Sequence, residues 1–126
     1  MTQEDKELLL KDLCARLPYG IICRNEESNM DVLPHMLPTN ILQLRMLLRD
    51  YTIKPYLRPL SSMTEDEEYE YDNLITYECN DEEGICFSIN NFDKLLDWFN
   101  RKMFDYRGLI EKGLALEAPE GMYETK

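Results

Sequence analysis

The side chains with most chemical potential in this chain are one imidazole, four thiols and a dense run of carboxylates. A Ser or Cys nucleophile ordinarily needs an imidazole base to take its proton. The single histidine, His35, lies between Val32-Leu33-Pro34 and Met36-Leu37-Pro38, a setting that suits a packed or surface residue. No hydrolase triad is expected. Cys14, Cys23, Cys79 and Cys86 include no CxxC pair, and their gaps are too wide for the close-spaced ligand pairs of a structural zinc site. Cys79 and Cys86 could face each other across a hairpin, although reduced thiols packed in a core are the simpler reading for all four.

Ten acids (Glu65, Asp66, Glu67, Glu68, Glu70, Asp72, Glu78, Asp81, Glu82 and Glu83) fall between Thr64 and Gly84, a window without Lys or Arg. The chain has 25 acids, 14 bases and a net charge of −11, so the window supplies nearly all of the imbalance. No string matches the D-x-[DN]-x-[DN]-G calcium loop, the GxxxxGK[ST] loop or GxGxxG, so neither metal nor cofactor is expected. No catalytic residue is assigned. The candidate interaction surface is Glu65, Asp66, Glu67, Glu68, Glu70, Asp72, Asp81, Glu82 and Glu83. Such a tract can contact a protein partner, or imitate DNA phosphates and so occupy a DNA-binding protein. The plain alternative is a solvated helix followed by a polar hairpin turn. A net charge of −11 repels phosphate backbones and anionic membranes, so neither is an expected partner.

The elements that would position these groups follow from periodicity and breakers. Residues 3–16 have apolar spacing for an amphipathic helix, with acids early and Arg16 late, as the helix dipole favours. Pro18 ends it, and 19–24 (YGIICR) reads as a strand closing at the polar NEESN cluster. Residues 41–48 favour a short helix that Thr39 or Asn40 could cap; a buried strand is the competing pattern, because Leu42, Leu44, Met46 and Leu48 alternate. KPYLRP at 54–59 suggests an extended, packed connector. A helix begins near Thr64, where Thr64 with Glu67, or Ser62 with Glu65, matches a capping box. LITYEC (74–79) and GICFSIN (84–90) then read as strands of a hairpin turning at NDEEG. Asn91 can cap a helix over 92–103, and Gly108 and Gly113 mark turns.

These elements predict a compact α+β domain over 1–126, with a small antiparallel sheet including the 74–90 hairpin, packed helices, and a loose tail over 120–126. The N-terminus MTQEDKELLLKDL has acids where a secretory signal needs positive charge, and no apolar run approaches a membrane span. A cytoplasmic protein is expected. KPYLRP and FDYRGL each set a base beside an aromatic residue, which can suit base stacking. The abundance of carboxylates favours another role, with Arg58 and Arg107 organising the fold through charge-assisted bonds to the acidic region.

Three strings, KELLLKDLCARLPYG (6–20), KPYLRPLSSMTEDE (54–67) and FDYRGLIEKGLALEAP (104–119), together span 45 of 126 residues. The chain resembles on these strings a group of small uncharacterised proteins of Bacteroidetes and of their phages or mobile elements. The resemblance carries no assigned activity, so it implies an origin and no catalytic residue. Residues 25–53 lie outside it. The reading is a non-catalytic accessory or protein-interaction protein of phage or mobile-element origin, with an acidic DNA mimic as the alternative. An exposed apolar patch would favour a partner interface; a pocket gathering His35 with a cysteine or two carboxylates would favour an enzyme.

Overall fold

Thr2 opens the first helix, α1 (Gln3–Arg16): its hydroxyl accepts from the Asp5 amide at 3.1 Å and the Asp5 carboxylate accepts from the Thr2 amide at 3.1 Å. The computed structural model describes residues 2–76 and 89–123. Leu9, Leu10 and Leu13 form the buried stripe of α1. Beyond it Leu17–Tyr19 make one 3-10 turn, and Gly20, at φ +84°, redirects the chain. The strand expected at 19–24 is therefore shorter and later, as β1 (Cys23–Asn25). Pro18 and the left-handed glycine use residues 17–20 to change direction, which leaves them unable to join a ladder.

β1 pairs antiparallel with β2 (Met30–Val32), with Cys23 opposite Val32. The turn between them is held by Asn25 Oδ1, which accepts from the amides of Glu27 (3.0 Å) and Ser28 (3.4 Å). A 3-10 turn at Pro34–Met36 leads to α2 (Ile41–Asp50), capped by Asn40 Oδ1 accepting from the Leu42 amide at 2.8 Å. A strand would have put Leu42, Leu44, Met46 and Leu48 on one face. The helix buries Leu44 and Leu48 and turns Leu42 and Met46 outward.

The connector of KPYLRP is extended, as its prolines require, and it is also the inner strand of the sheet. β3 (Ile53–Leu57) lies between β1, which it pairs antiparallel, and β4 (Leu116–Glu117), which it pairs parallel. Pro55 is tolerated there because the Tyr56 amide donates to the Ile22 carbonyl at 2.9 Å. Backbone groups alternate along a strand, so the Pro55 nitrogen faces the other side, where pairing with β4 begins only at Tyr56. Among the described residues four strands run in the order β2-β1-β3-β4, which with the helices makes an α+β fold.

α3 (Glu65–Thr76) and α4 (Ile89–Arg101) complete the helices. The hairpin expected over 74–90 is corrected at both ends: residues 74–76 belong to α3 and 89–90 to α4, while 77–88, with Cys79 and Cys86, lie outside the described residues. The strand-favouring composition at 74–76 gave way to packing, since Tyr71 and Leu74 sit three apart against Trp98 and Phe99. Asn91 is inside α4 and does not cap it, since the helix already includes Ile89 and Asn90, neither of them a Pro or Gly.

One cluster, built on Leu9, Leu13, Ile21, Leu44, Ile53 and Leu57, fills the space between α1, α2 and the sheet. A second gathers Trp98, Phe99 and Phe104 with Tyr71, Leu74 and Tyr106 between α3 and α4. Tyr123, in the segment expected to be loose, is partly buried; its hydroxyl accepts from the Ile22 amide at 2.9 Å and donates to the Tyr56 carbonyl at 2.8 Å. Among the described residues no helix is long and apolar enough to cross a membrane.

Candidate functional site

The acidic run divides as soon as it folds. Thr64 caps α3 with a reciprocal pair: its hydroxyl accepts from the Glu67 amide at 3.2 Å and Glu67 Oε1 accepts from the Thr64 amide at 3.0 Å. The same carboxylate receives both terminal nitrogens of Arg58, at 2.6 and 2.7 Å. The Arg58 bonds, reinforced by the Thr64 amide, hold the Glu67 carboxyl down at about 2, well below its ordinary 4.5. Glu67 is thus buried and structural. Glu70 is half-buried and accepts from the Trp98 indole at 2.8 Å.

Glu65, Asp66, Glu68 and Asp72 are exposed on α3, and Asp81, Glu82 and Glu83 lie outside the described residues. Arg58 does join the acidic region, as expected, and its guanidinium also covers the Phe104 ring at 4.3 Å. Arg107 does not. It binds Asp12 at 2.7 Å, on α1, because the chain from Phe104 to Gly108 runs alongside that helix. Asp12 also accepts from Arg16 Nε at 3.0 Å, Arg16 Nη2 donates to the Phe104 carbonyl at 2.7 Å, and the Tyr106 ring lies 5.3 Å from Arg16 and 4.7 Å from Arg107. Sequence reasoning placed Arg16 only as a charge complementing the helix dipole. The four-residue spacing from Asp12 to Arg16 was the available signal for their pairing; the complete burial of both was not visible in it.

His35 is exposed on its 3-10 turn. Cys14 is half-buried and Cys23 fully so; both are free thiols, and burial, with Asp12 nearby, pushes Cys23 up to about 12. Among the described residues no group of three or more His, Cys, Asp or Glu side chains is placed to hold a metal ion.

The carboxylates meet instead in a cleft of about 640 Å³ between α3, the Arg58–Thr64 connector and the chain after β4. Asp66, Glu67 and Glu70 line it from α3, and Glu117 and Glu120 from the C-terminal side, together with Arg58, Lys102 and Tyr123. With Arg58 neutralised by Glu67, four carboxylates stand against the Lys102 ammonium. Sequence reasoning missed Glu117, Glu120 and Lys102: the parallel docking of β4 on β3 brings the two acids here, and the bridge between Arg58 and Phe104 brings Lys102. The cleft's hydroxyls are committed: Ser62 donates to the Pro59 carbonyl at 2.7 Å, Thr64 caps α3, and burial pushes the Tyr123 phenol further above its ordinary value. The excess of carboxylates suits the cleft to a cationic group.

No family model, curated protein or solved structure matches this chain.

Proposed function

We propose that this chain is a non-catalytic cytoplasmic accessory protein, of the phage or mobile-element kind it resembles. It engages a protein partner through the exposed acids of α3 and the adjoining cleft. The observation that carries this reading is the convergence of Asp66 and Glu70 with Glu117 and Glu120, which lie about fifty residues further along the chain. Helix capping accounts for acids in the first turn of α3. It supplies no reason for carboxylates on the opposite wall. Arg or Lys side chains of a partner suit such a cleft, through charge-assisted bonds that steer association and weaken with salt.

The test is capture from the native host during phage infection or element transfer, comparing wild type with an Asp66→Lys/Glu120→Lys variant. One stoichiometric protein, released by raised salt and missed by the variant, is the expected result. Equal recovery by both proteins, or no recovery beside a hit in a turnover assay, overturns the reading.

Glu65, Glu68 and Asp72 recur three and four residues apart on the exposed side of α3, a stripe that favours DNA mimicry as the second reading. In that case the captured protein binds DNA. Added wild type would then protect DNA from it, and a Glu65→Lys/Glu68→Lys variant would not.

A further inference from the structure

The ladder between β1 and β3 stops one pair short of where its register would carry it. Cys23 stands opposite Pro55 and Arg24 opposite Lys54, so Ile22 and Tyr56 are the next facing pair. Residues facing each other at a hydrogen-bonded position of an antiparallel ladder exchange two backbone bonds. Here one is made, from the Tyr56 amide to the Ile22 carbonyl at 2.9 Å. The other is interrupted. The Tyr123 hydroxyl stands in its place, accepting from the Ile22 amide at 2.9 Å and donating to the Tyr56 carbonyl at 2.8 Å. A hydroxyl is both donor and acceptor, so it bridges the open pair and leaves neither backbone group unsatisfied.

That hydroxyl closes a strap. The chain after β4 is fixed at one end by the Ala118 amide, which donates to the Leu57 carbonyl at 2.8 Å. Pro119 follows, with no amide to give, and Gly121 turns the chain at φ +85° while the Met122 amide donates back to the Pro119 carbonyl at 3.1 Å. Among the described residues, the next hydrogen bond from this segment to the rest of the molecule is at Tyr123. Glu120 and its neighbours in the strap form the wall of the acidic cleft opposite Asp66 and Glu70.

We infer that Tyr123 is a positioning residue of the cleft: its hydroxyl latches the 119–123 strap across β1 and β3 and so holds Glu120 opposite Asp66 and Glu70. The latch has a built-in alternative. When the hydroxyl leaves, the two strands close by the width of one oxygen atom and the Ile22 amide donates directly to the Tyr56 carbonyl, so no backbone group is stranded in either arrangement. The ladder then gains a bond and the cleft loses a wall. An element with two satisfied arrangements is biased by any ligand that favours one of them, and a cationic group bridging Glu120 and Asp66 favours the latched form. This consequence for binding rests on the partner reading given above; the latch itself does not.

Residue-resolved hydrogen exchange on the full chain tests the latch, comparing wild type with Tyr123→Phe, which keeps the ring and removes the hydroxyl. The Met122 amide of the variant is expected to exchange roughly tenfold faster, the scale of one lost hydrogen bond. The Ile22 amide is expected to stay as slow as in wild type, because the Tyr56 carbonyl now receives it directly. An unchanged Met122 amide means that the strap is held by something other than the hydroxyl, and an Ile22 amide that speeds up with Met122 means that the strands do not close; either result overturns the inference. In the capture comparison Tyr123→Phe is expected to recover less partner than wild type, and equal recovery overturns the positioning role. A wild type that captures nothing overturns the partner reading instead, and the exchange rates still decide the latch.

Discussion

Arg58 holds Glu67 with two bonds while Thr64 holds the same carboxylate by its amide, so one acid of the charged run serves the fold and not the surface. The pH consequence follows from the sign of the shift. The folded value near 2 lies below the ordinary 4.5, so the stabilisation is complete above about 4.5 and disappears as pH falls toward 2. Replacing Glu67 by Gln should cost about 2 kcal/mol at neutral pH, given a charged pair mostly shielded from water. Urea unfolding at pH 7 and pH 3 should show the gap from wild type shrinking at the lower pH. Asp12 stakes more, since it is fully buried between two arginines. Asp12→Asn leaves Arg16 and Arg107 without an anion and should cost about 3 kcal/mol, read by denaturant unfolding. Arg16 Nη1 is buried without a hydrogen-bond partner, so the network has little slack for a further loss. Because Glu67 and Glu70 hold the fold, charge reversal intended to test the surface belongs at Glu65, Asp66 and Glu68.

Among the elements, all four described helices were legible, although the cap read at Asn91 lies inside α4 and the cap at Thr2 was not read. Thr2, Asn40 and Thr64 each accept a hydrogen bond from a first-turn amide of α1, α2 and α3. Thr64→Ala should therefore cost about 1 kcal/mol and speed hydrogen exchange in the first turn of α3. An unchanged melt and unchanged exchange would show that Arg58 alone positions that helix end. The strands were harder to read. β1 and β2 have three residues each and β4 has two, so period-two alternation has almost no length in which to appear. The sequence at 74–76 favours a strand locally, yet the chain is helical there because Leu74 packs on the buried rings of Trp98, Phe99 and Phe104, which lie 24 to 30 residues away. Local preference cannot anticipate such a partner.

At the scale of the molecule, charge and apolar surface are separated. α3 and the chain after β4 carry the acids around the cleft, and the acid-free stretch through α2 carries exposed Leu and Met. Under the proposed reading a basic partner binds through the cleft. Its binding through the cleft should weaken steeply with salt, because exposed carboxylates are screened within about 8 Å at physiological ionic strength. The strings at 6–20, 54–67 and 104–119 meet in space: Asp12 and Arg16 from the first hold Arg107 and the Phe104 carbonyl of the third, while Arg58 of the second covers the Phe104 ring. They form the fold's polar framework, and α2 lies outside them.

The amino-acid sequence by itself determined the α+β class, the course of α1, a capped helix start near Thr64, and an acidic tract with no motif for catalysis or metal, while it left 41–48 open between helix and strand. Those properties are local: caps, breakers, periodicity and charge act over a few residues. Tertiary structure alone decided that Pro55 sits in an inner strand, that Arg107 answers Asp12 and not the acidic tract, and that Glu117 and Glu120 face Asp66 across a cleft. Each depends on segments far apart in the chain being brought together by burial of a shared core, and no short-range pattern encodes which distant partner a charge will meet.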